Sequence, residues 1–207
     1  MQKQNIRCEL ISWNHFYRLC RQLVSNIYSS GFVPDVIIAI ERGGYMPARI
    51  LSDHLKIANL TSFKIEHYQG TKKEPVAKVR YPLSTKVVGQ RVLLVDDVSD
   101  TGDTFKVAVE HIREIIHPLE IKSAALHHKT VSSFQPDYYA KKVVQWRWII
   151  YPWALVEDIS GFVEAMTPPP KNSEEIIIRL QREHGIRIPA STIQDVLTCN
   201  SRLMLMQ

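Results

Sequence analysis

Residues 92–104 read Val-Leu-Leu-Val-Asp-Asp-Val-Ser-Asp-Thr-Gly-Asp-Thr, and this stretch decides the fold. Val92 to Val95 form a short, wholly apolar run, which predicts a strand buried on both faces. Asp96 and Asp97 end it. Two adjacent carboxylates in that position repel each other and lose hydration unless a cation or hydroxyl groups engage them. Asp100, Thr101, Gly102, Asp103 and Thr104 then supply a glycine turn, hydroxyls and the free backbone N–H groups of a helix start, the parts of a phosphate cradle. Helix capping accounts for one aspartate before a helix. Three of them, interleaved with Thr101, Gly102 and Thr104, describe a ribose-phosphate reader: carboxylates for a ribose diol or magnesium beside a phosphate pocket.

Working outward, residues 104–116 carry Val107, Ile112 and Ile115 at helical spacing, so the unit is strand, glycine turn, helix. The same unit occurs upstream. Val36 to Ile40 is a continuous β-branched run that stops at Glu41-Arg42-Gly43-Gly44, and Pro47 suits the first turn of a helix reaching about His54. Further strands are expected at 59–68, 121–126 and 143–150, an amphipathic helix at 13–29, and a polar, basic, mobile loop at 70–82 with Lys72, Lys73, Lys78 and Arg80. Alternating strands and helices predict an α/β fold with a mainly parallel, twisted sheet flanked by helices. In such a sheet ligands bind beyond the carboxyl ends of the strands, where the two unusual loops fall. A proline-rich linker is expected at 166–173, separating a domain of residues 1–165 from a small helical appendage, 174–207, with short helices at 174–184 and 190–199.

Composition sets the outer bounds. The 207 residues are 45% hydrophobic and 23% charged, which excludes disordered and fibrous classes. With 26 Lys and Arg against 21 Asp and Glu, the net charge of +5 asks for an anionic partner without choosing among nucleic acid, membrane surface and phosphorylated small molecule. Cys8, Cys20 and Cys199 are few and widely spaced, fitting a reduced cytoplasm, and no signal peptide or membrane span is visible. No GxGxxG, GxxxxGK[ST] or HExxH motif is present.

Residues 92–104 resemble the signature of the type I phosphoribosyltransferases: an apolar run, two acids, then an acid-Thr-Gly-x-Thr loop. The resemblance implies that Asp96 and Asp97 hold the ribose hydroxyls of phosphoribosyl pyrophosphate (PRPP) and help place Mg2+. It gives the 5-phosphate to Thr101, Gly102, Asp103 and Thr104, and makes Asp100 the catalytic general base or acid at purine N7. Arg42, Gly43 and Gly44 resemble the family's pyrophosphate loop, which in relatives contains a cis peptide that is not a proline bond. Lys129, Trp148 and Ile149 are similar in spacing to the base pocket of bacterial xanthine-guanine phosphoribosyltransferases, where a lysine meets the purine 6-oxo group and a tryptophan stacks on the ring. Ile150 departs from that pattern, since such relatives often carry a polar residue there.

The implied fold adds a small hood to the sheet, and the implied reaction is purine salvage. A 6-oxopurine (guanine, xanthine or hypoxanthine) displaces pyrophosphate from PRPP and leaves as a nucleoside monophosphate, in a cytoplasmic homodimer or homotetramer. Two alternatives stand beside it. One is an adenine-accepting enzyme. The other is a nucleotide- or PRPP-sensing regulator that binds nucleic acid through the appendage, against which residues 190–199 contain no Lys or Arg.

Overall fold

The computed structural model describes residues 6–68, 76–83 and 90–199. They form two compact units, one of residues 17–146 and one combining the chain up to residue 16 with the chain from 147 onward.

The larger unit is built on a six-stranded sheet. Its strands are β2 (Val36–Glu41), β3 (Leu60–Tyr68), β4 (Val76–Tyr81), β5 (Arg91–Ser99), β6 (Glu120–Lys129) and β7 (Tyr138–Val143), in the order β4-β3-β2-β5-β6-β7. Every neighbouring pair is parallel except β3 with β4. The continuous apolar runs do what their lack of alternation predicts: Val36 to Ala39 and Val92 to Val95 are all fully buried, because helices cover both faces. Helix α3 (Asp103–Ile116) packs Phe105, Ala108, Ile112 and Ile116 into one cluster with Val36, Ile38, Val92 and Leu94. Helix α1 (Trp13–Ser30), most of it in this unit, buries Leu19, Cys20, Leu23, Val24 and Ile27 and is tied to β7 by Asn26 Nδ2 donating to Tyr139 O at 3.1 Å. Helix α2 (Tyr45–Leu55) follows the glycine turn after β2.

The register positions the site. From β2 the chain goes outward to β3, and from β5 it goes the other way to β6, so the strand order reverses between β2 and β5. Ala39 pairs with Val95, which places Glu41 and Asp97 at the same carboxyl edge of that crevice.

The smaller unit pairs two three-residue parallel strands, β1 (Cys8–Leu10) and β8 (Trp148–Ile150). Its helices are α4 (Leu155–Glu164), α5 (Ser173–Arg179), which runs on as one π-helical turn over Leu180–His184, and α6 (Ala190–Cys199). Ile150, Ile159, Val163, Met166, Ile176, Leu180, Ile193 and Val196 share one core.

Three expectations are corrected. The strand expected at 143–150 is two: β7 ends at Val143 as the edge partner of β6, and Trp148–Ile150 pairs with β1, a strand too short to announce itself in the sequence. The loop expected at 70–82 is partly strand, since Val76–Tyr81, with Lys78 and Arg80, pairs antiparallel with β3; Lys72 and Lys73 lie outside the described residues. The proline-rich stretch 166–173 does not divide the chain. Ile159 and Val163 before it share a core with Ile176 and Leu180 after it. Buried Arg179 donates to Pro168 O at 2.6 Å and lies 3.3 and 3.7 Å from the carboxylates of Glu183 and Glu175, so the segment is fastened to the helix that follows. Helix α4 is an element that the sequence did not announce.

Replacing Arg179 with Ala would remove the donor that fastens Pro168 O and the buried cation that lies between Glu175 and Glu183. The expected loss is on the order of 2 kcal/mol, read as a lower urea midpoint for the smaller unit by far-ultraviolet circular dichroism.

Candidate active site

β5 leaves the core at Asp96, and the chain must there place two carboxylates in succession. Asp96 is buried; its Oδ1 accepts the Asp97 backbone N–H at 2.9 Å. Burial, reinforced by the charge of Asp97, pushes the Asp96 carboxyl well above the usual carboxylate range, against the opposing pull of that N–H. Asp97 faces the neighbouring loop so closely that a Cβ on Gly43 would fall 2.6 Å from its carboxylate atoms. At Gly44 a Cβ would collide with Val95 O at 2.3 Å. Glycines are required at both positions because the 41–44 backbone lies directly against the end of β5. The Glu41–Arg42 peptide is cis, and the Glu41 carboxylate accepts from Ser62 Oγ at 2.7 Å.

The second loop turns at Gly102, whose φ of +95° favours glycine and whose missing side chain leaves room for Phe134, with N and Cβ 2.5 and 2.7 Å from where a Cβ would stand. α3 begins at the next residue, where the Asp103 N–H makes a long bond of 3.4 Å to Thr101 Oγ1, and its N-terminal end points its positive dipole into the loop. Thr101 Oγ1 donates to Asp103 Oδ2 at 2.8 Å. From behind, Ser133 N and Oγ both donate to Thr101 O at 2.8 and 2.7 Å, and Ser99 bonds Phe134 O at 2.8 Å. Phe134 stacks on Phe105 with centroids 5.1 Å apart. The 132–134 segment is thus the brace of the 100–104 loop, a role with no mark in the sequence.

Asp100 and Lys129 meet. β6 runs three residues beyond the expected 121–126 and ends on Lys129, which is 2% exposed. Its Nζ donates to Asp100 Oδ2 at 2.7 Å, while the other oxygen, Oδ1, accepts the indole N–H of Trp146 at 3.0 Å. The ammonium also lies 4.3 Å from the centre of the Trp146 ring. Trp146 was not singled out from the sequence, since in Gln145-Trp146-Arg147-Trp148 two tryptophans have equal claims and only the fold separates them.

Trp148 and Ile149 belong to the smaller unit. Ile149 is buried opposite Glu9 on β1, and the half-exposed Trp148 donates its indole N–H to Asp158 Oδ1 at 3.1 Å. Burial pushes the Asp158 carboxyl up to about 6. Among the described residues, no group of three or more His, Cys, Asp or Glu side chains forms a metal cage, and no helix is long and apolar enough to cross a membrane.

The chain is similar to known proteins over most of its length. Residues 9–158 match the family model described as phosphoribosyl transferase domain. A purine phosphoribosyltransferase from Pyrococcus horikoshii has a crystal structure that superposes with a TM-score of 0.62 at 33% identity, over 70% of this chain and 93% of that one. The xanthine-guanine phosphoribosyltransferase of Gluconobacter oxydans is 28% identical over 153 residues, 72% of this chain and 86% of its own length. The xanthine phosphoribosyltransferase 1 of Saccharomyces cerevisiae is 26% identical, over 72% of this chain and 90% of its own length. The chain belongs to the phosphoribosyltransferase family and has its type I fold. It is an enzyme of that family.

Asp158 has a consequence for stability. Its folded value lies above its unfolded one, so its contribution is fully present below about pH 4 and is lost as the pH rises through about 6. The Asp158→Asn variant, which keeps an acceptor for Trp148, is expected to melt higher than the parent at pH 8 and to lose that advantage by about pH 4, as thermal unfolding at a series of pH values will measure.

Proposed function

We propose that this phosphoribosyltransferase acts on purines, and among them on 6-oxopurines: guanine, xanthine or hypoxanthine. A ring nitrogen of the base attacks C1 of the ribosyl group of PRPP as pyrophosphate leaves, giving the nucleoside monophosphate. The observation that carries this reading is the contact of the buried Lys129 with Asp100 at 2.7 Å. A 6-oxopurine presents a carbonyl acceptor at C6 and a protonatable N7 beside it, matching an ammonium donor with a carboxylate next to it. Adenine would turn a 6-amino donor toward the same ammonium, and a buried donor left without an acceptor discriminates strongly.

Asp96 and Asp97 bind the ribose hydroxyls in this reading. The 100–104 loop and the start of α3 take the 5-phosphate on Thr101, Gly102, Asp103 and Thr104. Arg42, Gly43 and Gly44 take the pyrophosphate, and Asp100 handles the proton at N7. For Trp148 and Ile149 a base-binding role rests on the family resemblance. A pair of adjacent carboxylates, one of them destabilised by burial beside the other, fits a hydrated Mg2+ that needs only one or two protein ligands. Asp96 and Asp97 would hold the ion, and its charge would offset that of the pyrophosphate. The regulator alternative is disfavoured because α6 buries Ile193, Val196 and Leu197 and offers no Lys or Arg for nucleic acid.

The test is a spectrophotometric panel of guanine, xanthine, hypoxanthine and adenine with PRPP and magnesium. Turnover is expected with at least one 6-oxopurine and about 10²-fold less with adenine; equal or greater turnover with adenine refutes the assignment to Lys129. Trp146 is expected to act by positioning Asp100. Trp146→Phe keeps a ring against Lys129 and removes the donor to Asp100 Oδ1, so kcat falls about tenfold while KM for PRPP holds, as steady-state kinetics will show.

A further inference from the structure

The smaller unit contains a cavity of about 490 Å³, within the size range of small-molecule sites. Trp148, Asp158, Gly161, Phe162, Glu183 and His184 stand on its wall, which is mostly apolar and, among the described residues, contains no Lys or Arg. Four of these six lie beyond residue 158, where the family match ends, and neither Asp100 nor Lys129 lines it.

We infer that this cavity binds a small, flat, apolar molecule that carries a protonated amine. Two observations support the apolar part. Phe162 and His184 have ring centroids 4.4 Å apart, and with Trp148 they give the cavity aromatic faces. Gly161 sits inside α4, where glycine costs roughly 1 kcal/mol relative to alanine. A Cβ built there would meet no atom within 4 Å, so close packing does not require the glycine, and its effect is to leave the cavity open.

Charge supports the amine. Among the described residues, the ionisable groups that line the cavity are Asp158, Glu157, Glu183 and His184, with Cys8 close enough to feel Asp158. Glu183 is already paired with Arg182 at 2.7 Å and Arg179 at 3.3 Å. Asp158 accepts the Trp148 N–H on Oδ1 and, among the described residues, nothing on Oδ2. One carboxylate oxygen is therefore left for a donor beside three aromatic faces, an arrangement that suits an ammonium group and opposes an anion. His184 holds its own Nδ1 against Ile6 O at 2.9 Å and presents its ring rather than that nitrogen.

Isothermal titration of the full chain at pH 8 with phenethylamine and with 3-phenylpropionate, two probes of similar size and opposite charge, tests the inference. Phenethylamine is expected to bind at least tenfold more tightly. Gly161→Leu, which fills the cavity, should abolish binding, and Asp158→Asn should remove most of the preference for the amine. Absence of binding, equal binding of the two probes, or binding by Gly161→Leu equal to that of the parent would each overturn it. If Gly161→Leu does not fold, an undiminished preference in Asp158→Asn overturns the inference, and its loss upholds it.

Discussion

The parallel pairing of β2 with β5 is the constraint on which the larger unit rests. Both strands are buried on both faces, so neither can slide or flip without exposing Val36 to Ala39 or Val92 to Val95 to water. That pairing brings two loops from distant parts of the sequence to one edge of the sheet. It also explains the glycines: with β2 and β5 as adjacent strands, the turn after β2 must pass the carboxylate of Asp97, and only a residue without a side chain fits at 43 and 44. A loop made of bare backbone is, for the same reason, open to close approach by an anion.

Around that edge the polar groups are arranged in pairs. Asp96 is held at a cost by burial and by its neighbour, a cost that a bound ribose or cation would relieve. Asp100 has both carboxylate oxygens engaged, one by Lys129 and one by Trp146. The two rigid ends of β5 and β6 thus present a carboxylate and an ammonium already oriented, which is the preorganisation that transfer through a charged transition state requires.

The smaller unit follows a different logic. Its strands are three residues long and contribute little by themselves, and its stability resides in an apolar core drawn from both sides of the proline-rich segment. The buried Arg179 replaces the missing regular structure there by bonding to the backbone of the proline segment. Nothing in the proline content itself distinguishes a tethered segment from a free one, because proline removes a donor and fixes φ in either case.

The sequence by itself determined the parallel sheet, the two strand-turn-helix units and the two glycine-bearing loops at the carboxyl ends of β2 and β5. Those features depend on local chemistry: continuous apolar runs, glycine at turns, and aspartates where a buried strand ends. Lys129 and Asp100 were legible as residues of interest through a family pattern, but their contact was not, since twenty-eight intervening positions separate them and only the pairing of β5 with β6 closes that distance. Tertiary structure alone chose Trp146 over Trp148 as the neighbour of Asp100, split the run 143–150 between two sheets, and turned an apparent linker into part of a core. In each case the deciding quantity was which distant surface a residue was buried against, and that is not a property of its neighbours in the chain.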